Sequence, residues 1–125
     1  MSIPVELSDL AQAITRYRYA YLLTGTDHGA PHAVAVSPVL QGGALLIQGV
    51  GRRTGKNLQS RPEVGLVWPP ATVEEYSLIV DGKASVEDGQ IRIQPTRAVL
   101  HRPAPSPEPA APGACGSDCV ELSLK

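Results

Sequence analysis

The middle of the sequence carries a cluster of side chains suited to binding phosphate: Arg52, Arg53, Thr54 and Lys56. Arginine donates planar, paired hydrogen bonds to phosphate oxygens, and a hydroxyl group adds another donor. The cluster is expected where a strand gives way to a short helix, whose first turn supplies unpaired backbone N–H groups and partial positive charge. The pattern predicts a phosphate-monoester site. The spacing is neither that of a P-loop nor that of a dinucleotide fingerprint, so a solvated basic turn is the alternative.

The charge of the chain is unevenly distributed. Its net charge is −1, from 11 basic and 12 acidic side chains. The 35 residues 28–62 contain no carboxylate and carry four basic side chains, or +4, so the remainder has 7 basic and 12 acidic residues, or −5. A strongly acidic remainder without a recognition helix argues against nucleic acid as a partner. The basic segment is therefore predicted to bind a small anion.

Four other side chains are functional candidates: His28, His32, His101 and Trp68. His32 lies on the same face of a predicted strand as Val34 and Val36, where it could reach a cofactor edge or ligate haem, although a hydrogen-bonded histidine near a turn is favoured. His28 and His101 have no partner at ligand spacing. Trp68, the single tryptophan, could line a pocket, but packing at the end of a strand is the favoured interpretation.

The two cysteines, Cys115 and Cys119, do not make a metal site by themselves. Two ligands are too few for structural zinc, and no histidine lies near them in sequence. Two free thiols are favoured over a redox-responsive disulfide in the tail. No metal site is predicted.

Length and composition exclude several classes of protein. The chain has 125 residues, 42% hydrophobic residues and no phenylalanine, which is enough for one core filled by aliphatic side chains. Few aromatic residues argue against a stacking platform for single-stranded nucleic acid. Neither a bilayer-length apolar run nor a secretory signal is evident, so a soluble, cytoplasmic protein is expected. A domain of this size often gains burial from a partner subunit.

The hydrophobic pattern predicts a mainly β, α+β protein: an antiparallel barrel or sandwich with one or two short helices. Apolar spacings of three and four predict a helix over 6–18, and a second short helix is expected to end near residue 61, before Pro62. Pro95 predicts an edge or a bulge. Six strands are predicted, one starting at Tyr19 and the others over 31–40, 44–50, 63–68, 76–86 and 90–100.

The last quarter of the sequence has a different composition. Five prolines fall within ten residues, which predicts an extended linker over 103–114 after a domain covering 1–102. Alternating apolar and polar residues over 115–125 then predict a final strand that docks on the barrel.

Taken in order, several short motifs resemble the pyridoxamine 5′-phosphate oxidase-like, FMN-binding split-barrel family, over roughly residues 5 to 100. The motifs are Pro31-His32-Ala33-Val34-Ala35-Val36, Ile47-Gln48-Gly49, Gly51-Arg52-Arg53-Thr54, Asn57-Leu58, Arg61-Pro62-Glu63-Val64 and Val80-Asp81-Gly82-Lys83-Ala84. The resemblance implies a six- to seven-stranded split barrel that forms a homodimer, with two cofactor sites at the interface.

The resemblance also implies a set of cofactor-binding residues. The family's phosphate-binding Arg-Lys pair falls on Arg53 and Thr54, so the arginine is kept and the lysine is lost; Arg52 or Lys56 could compensate. Ser77 occupies the position from which the second subunit offers a polar group. The backbone along the flavin would come from Val34, Ala35, Val36 and Ser37, with further contacts from Ile47 and Gln48.

The function implied is that of an FMN-binding oxidoreductase, in which the cofactor performs the hydride chemistry and no acid–base dyad is required. The chain lacks the arginine-rich C-terminal segment of true pyridoxamine phosphate oxidases, so oxidation of vitamin B6 is not predicted. The alternatives are a deazaflavin-dependent reductase of the same fold, a haem protein as a lesser choice, and a non-catalytic binding or sensor module. The small-molecule substrate and the catalytic residues are not identified by the sequence.

Overall fold

The structure, a computed structural model, describes residues 2–49 and 51–103. The predicted C-terminal strand over 115–125, with both cysteines, and all but the first residue of the predicted linker lie outside this part of the chain. The described residues form β1 (Ser2–Pro4), α1 (Leu10–Ile14, preceded by a 3₁₀ turn at Leu7–Asp9), β2 (Ala20–Thr24), β3 (His32–Val36), β4 (Val39–Gln41), β5 (Ala44–Gln48), α2 (Arg52–Ser60), β6 (Glu63–Trp68), β7 (Ser77–Glu87) and β8 (Gln90–His101).

All strand pairs are antiparallel, in the order β3-β2-β6-β7-β8-β5-β4, and β1 pairs with β8 beside this path. The two end strands, β3 and β4, are consecutive in the chain and are joined by only Ser37 and Pro38. Such a link spans at most about 11 Å between the flanking Cα atoms. The sheet must therefore curl until its two edges approach each other, which makes it a half-barrel. The predicted mainly β, antiparallel split barrel is confirmed.

Two predicted elements are corrected. The predicted strand over 31–40 is two strands, because the chain leaves one edge of the sheet at Ser37 and enters the other after Pro38, whose ring fixes φ and removes a backbone donor. The predicted helix over 6–18 narrows to Leu7–Asp9 and Leu10–Ile14. Beyond it the Thr15 hydroxyl donates to the Gln12 carbonyl at 2.6 Å, a local side-chain bond that competes with helix continuation.

The hairpin turns follow their sequence signals. Gly42 and Gly43 have φ of 60° and 80°, and Asp88 and Gly89 have φ of 52° and 73°. Positive φ at both central residues is the conformation whose twist matches that of the flanking strands. These turns fix the register of β4 with β5 and of β7 with β8.

The core lies inside the curled sheet and is filled mainly by aliphatic side chains. Trp68, Leu22, Leu66 and Ile93 are at most 1% exposed, so the tryptophan packs in the core as predicted. The strands place these residues inside because successive side chains alternate between the two faces. The predicted irregularity at Pro95 is confirmed: the register between β7 and β8 shifts beside it.

Tyr17 links the segment after α1 to the residue before β7 by a hydrogen bond. Its hydroxyl donates a hydrogen bond of 2.8 Å to the Tyr76 carbonyl. Burial raises the pKa of the Tyr17 phenol, and the Glu75 carboxylate raises it further, against the opposing effect of Arg16. The folded protein therefore favours the neutral form of the Tyr17 phenol.

Candidate functional site

A groove of about 560 Å³ opens where the barrel is split, between β3, the end of β5 and the start of α2. We call it the first groove. Seven of the eleven residues that the sequence assigned to a cofactor line it: Val34, Ala35, Val36, Ser37, Ile47, Gln48 and Thr54. Sequence reasoning thus predicted residues that the fold brings together from three separate elements.

The floor of the first groove is apolar. Leu22, Ile47 and Ile91 line it and are 1%, 4% and 1% exposed. Ile47 and Ile91 are Cα partners across β5 and β8. Ile91 was missed because nothing in the sequence links it to the groove, and only the pairing of two distant strands brings it there. Such a floor is suited to one face of a flat heterocycle.

One wall of the first groove is the edge of the sheet. Among the described strands β3 pairs only with β2, so alternate backbone N–H and C=O groups of Val34, Ala35 and Val36 are not used in the sheet. Unpaired backbone groups beside an apolar floor can hydrogen-bond the polar edge of a planar ligand. The wall therefore provides orientation and the floor provides contact area.

The other wall is the first turn of α2. Gly51 is the N-cap residue, with φ −64° and ψ 152° and no side-chain cap, so the N–H groups of the first turn keep their donor capacity. Thr54 is 4% exposed and lines the groove. A helix N-terminus with a hydroxyl group beside it is suited to an anion.

The basic residues do not all lie at this groove. Arg53 and Lys56 line a neighbouring groove of about 470 Å³, which we call the second groove. Arg52 is exposed and lines neither groove, and Ser77 is half-buried at the start of β7 with its Cα opposite that of His101. The fold thus separates four of the predicted cofactor residues from the other seven.

The positive charge of residues 28–62 is partly neutralised in the fold. Arg61 Nε lies 3.2 Å from Asp27 Oδ1, in a pair that is about half exposed. Arg52, Arg53 and Lys56 form no ion pair with any other residue of the described part of the chain. These three cations are therefore available to an anion.

The three histidines lie in different environments. His28 and His32, which sequence reasoning treated separately, both line the second groove. The His32 Nδ1 atom is buried and has no hydrogen-bond partner. His101 Nδ1 lies 3.0 Å from the Ser2 hydroxyl, between β1 and β8. His32 thus has a buried polar atom without a hydrogen-bond partner among the described residues, which the sequence did not predict.

Helix α2 is held against the barrel at two points. The Asn57 amide donates to the Thr24 hydroxyl at 3.0 Å, and Thr24 is 2% exposed. Leu58 is 5% exposed and belongs to the core. These contacts fix which residues of the helix face each groove.

An apolar outer face adjoins the first groove. In register across the sheet, Ala35, Tyr21, Val67 and Ile79 lie in one row on the outside of the barrel. Tyr21 is 40% exposed and packs edge-on against Tyr19, with ring centroids 5.4 Å apart. Ala35 and Tyr19 also line the groove. The mouth of the groove therefore continues into an exposed apolar surface.

The described residues lack two kinds of feature. No group of three His, Cys, Asp or Glu side chains within 2–49 and 51–103 could hold a metal ion. None of the helices in the same part of the chain has the length and apolarity needed to cross a membrane.

Several solved structures share this architecture. A FAD-binding protein from Mesorhizobium loti has a TM-score of 0.64 and 13% identity, with 80% of this chain and 95% of that chain covered. A pyridoxinephosphate oxidase family protein from Clostridium acetobutylicum, related to general stress protein 26, has a TM-score of 0.60 and 11% identity, covering 78% and 91%. An F420 reductase has a TM-score of 0.58 and 17% identity, covering 77% and 98%. The fold is that of the pyridoxamine 5′-phosphate oxidase-like, flavin-binding split barrels.

Closer relatives are found by sequence. Two uncharacterised proteins, one from Mycobacterium bovis and one from Mycobacterium tuberculosis, are each 40% identical to the chain over 136 aligned residues, covering 96% of both sequences. The chain belongs to the same family as these mycobacterial proteins. No protein-family model matches it.

Proposed function

We propose that the chain binds a flavin-type cofactor, FMN, in the first groove and acts as a flavin-dependent oxidoreductase. The observation that carries the proposal is that an apolar floor, an unpaired strand edge and an uncapped helix N-terminus meet at one groove. Proteins with this fold that are named as a FAD-binding protein and an F420 reductase support it.

In this proposal each wall has a separate task. The ring packs on Leu22, Ile47 and Ile91, and the backbone of β3 hydrogen-bonds its polar edge. The phosphate lies at the first turn of α2 beside Thr54, with Arg52 of the same turn supplying charge. When bound, a flavin supplies the hydride chemistry, and the protein residues bind and orient it and keep water from its buried face.

The same proposal includes a homodimer. The apolar row Ala35, Tyr21, Val67 and Ile79 leaves the mouth of the first groove and is suited to contact with a second copy of the chain. A copy seated there would cover the exposed side of the ring. Ser77 of the second copy is proposed to offer the polar contact that the first copy does not provide at its own groove.

Titration with FMN tests the proposal. Binding should quench flavin fluorescence, and the double variant Arg52→Ala/Arg53→Ala should weaken binding at least tenfold, since each charge-assisted bond contributes roughly 1.5–3 kcal/mol. Arg92→Ala is the matched control, because it removes an exposed arginine from β8, away from the first turn of α2. Purified protein that is colourless and takes up no added FMN would contradict the proposal.

Two alternatives have specific support. The likeness in fold to an F420 reductase favours a deazaflavin as cofactor, which would be recognised by a deazaflavin absorbance that FMN does not displace. Thr54, at the position of the family's lysine, favours a binding or sensor module with weak cofactor affinity. That module would bind flavin without turnover of any electron donor. A Soret band would instead indicate haem.

A further inference from the structure

A groove of about 740 Å³, larger than the first and second grooves, has no lining residue in α2. We call it the third groove. Residues 16–19, which follow α1, line it, and so do residues 69–71 and 74–76 of the connection between β6 and β7. Leu100 in β8 and Arg102 just after that strand complete the lining. The third groove shares Tyr19 with the first groove.

The lining of the third groove is rich in aromatic rings. Tyr17, Tyr19 and Tyr76, three of the four tyrosines in the chain, belong to it. The Tyr17 hydroxyl donates to the Tyr76 carbonyl at 2.8 Å, so two of these tyrosines are held together. The third, Tyr19, is 39% exposed. Aromatic-lined grooves are the surfaces on which proline-rich segments bind.

The chain itself contains such a segment. Prolines occupy positions 103, 105, 107, 109 and 112. Every residue from 103 to 109 is therefore either a proline or the residue before one. Proline fixes its own φ, and the residue before it is restricted to extended geometry, so this sequence favours the polyproline II conformation. A segment restricted in this way loses little conformational entropy when it binds.

The segment begins at the third groove. Arg102 lines the groove, and Pro103 follows it directly. Arg102 donates to the Glu74 carbonyl at 3.3 Å, and its guanidinium carbon lies 4.6 Å from the centre of the Tyr76 ring. Binding of the residues that follow is intramolecular, so a high effective concentration replaces part of the contact energy that a separate peptide would need. Polyproline II rises about 3.1 Å per residue, which gives residues 103–109 a length of about 22 Å.

Charge favours the same occupant. The lining of the third groove contains three arginines and two glutamates, an excess of one positive charge. Arg16 and Arg18 are exposed and form no ion pair with any other residue of the described part of the chain. Glu108 is the one charged residue among 103–112. Opposite charges on segment and groove orient the contact more than they tighten it.

We infer that residues 103–112 bind in the third groove of the same chain, in the polyproline II conformation. The prolines lie against the rings of Tyr19 and Tyr76, and Glu108 lies toward Arg16 and Arg18. Because Tyr19 lines both the first and the third groove, the bound segment borders the mouth of the first groove. This contact does not depend on whether a flavin is bound.

Nuclear Overhauser effects in the full-length chain test the contact directly. Cross-peaks are expected between the proline ring protons of 105–109 and the ring protons of Tyr19 or Tyr76. In a mixture of isotope-labelled and unlabelled chains, an isotope filter selects contacts between different chains, and no filtered cross-peak is expected. Filtered cross-peaks would place the segment of a second copy in the groove and overturn the assignment to the same chain. Absence of all these cross-peaks would overturn the inference as a whole.

Backbone amide relaxation provides a second readout. The amides of Ala104, Ser106 and Glu108 should have order parameters of about 0.85, as rigid backbone has, whereas a free segment falls below about 0.6. Tyr19→Ser should lower them to the range of a free segment. Tyr21→Ser is the matched control, because Tyr21 is 40% exposed and does not line the third groove, and it should leave them unchanged. Order parameters below those of the β-strands in the wild type, or unchanged in Tyr19→Ser, contradict the inference.

Charge reversal tests the orientation of the segment. Glu108→Lys should reduce the intensity of the proline–tyrosine cross-peaks, and the double variant Arg18→Glu/Glu108→Lys should restore it. Arg92→Glu/Glu108→Lys is the matched control, since Arg92 is exposed on β8 and does not line the third groove, and it should restore nothing. Equal intensities in all of these chains would refute the placement of Glu108. None of these experiments adds a flavin, so failure of the proposed function would leave their results unaltered.

Discussion

The Asn57 amide nitrogen lies 3.0 Å from the Thr24 hydroxyl, and this bond joins the middle of α2 to the end of β2. Thr24 is almost fully buried, so its hydroxyl depends on a protein partner. The helix carries Thr54 toward the first groove and Lys56 toward the second. This side-chain hydrogen bond, together with the buried Leu58, thus sets the orientation on which both grooves depend.

Replacement of Asn57 should therefore affect stability and binding together. Asn57→Ala leaves the Thr24 hydroxyl unpaired and should lower the free energy of unfolding by about 1–3 kcal/mol. Urea unfolding followed by the fluorescence of the single tryptophan measures it. The double variant Asn57→Ala/Thr24→Val removes both partners and should lose less than the sum of the single losses. Additive losses would show that the bond contributes nothing.

Gly82 should not tolerate even one added methyl group. A Cβ atom there would lie 2.7 Å from the Gln94 carbonyl oxygen and 2.7 Å from a methyl group of Ile93. Gly82→Ala should destabilise the protein by about 1–3 kcal/mol, because overpacking displaces backbone beside the bulge. Gly65→Ala is the control, since its nearest contact would be an ordinary 3.9 Å to Leu23. Equal melting temperatures for the two variants would contradict the prediction.

Tyr17 should make stability depend on pH in the alkaline range. Burial raises the pKa of its phenol above the ordinary 10.0 in the folded state, so the folded chain holds that proton more tightly than the unfolded chain. Its contribution is present below pH 10.0 and is lost as the pH rises through the folded pKa. The stability difference between wild type and Tyr17→Phe, from urea unfolding, should shrink above pH 10.0. A constant difference would exclude the mechanism.

Much of the fold could be predicted from local signals. Alternation of apolar residues and the two-residue turns at Gly42 and Asp88 located the longer strands. β1 was missed because its three residues, Ser2–Pro4, have too little pattern of their own and exist as a strand only by pairing with β8. The break at Ser37 was missed because alternation continues through it, while the change of sheet edge is a property of the whole barrel.

The residues of the candidate site were also only partly predictable from the sequence. Val34 to Ser37 were assigned to a cofactor through the family resemblance, and they line one groove because they are contiguous in the sequence. The separation of Arg53 and Lys56 from Thr54 was not predicted, since it depends on the rotation of α2 about its axis. That rotation is fixed by Asn57 and Leu58, through contacts with β2 and the core that no local pattern contains.

The two-residue link between β3 and β4 has a consequence for how the first groove can change. Because Ser37 and Pro38 tie the opposite edges of one sheet together, the width of the groove mouth is limited by the contour length of the backbone. Side-chain substitutions can reshape the lining, but they cannot spread the edges apart. Only a longer connection at this position, or loss of the β2–β3 or β4–β5 ladder, would let the barrel unroll around a bulkier ligand.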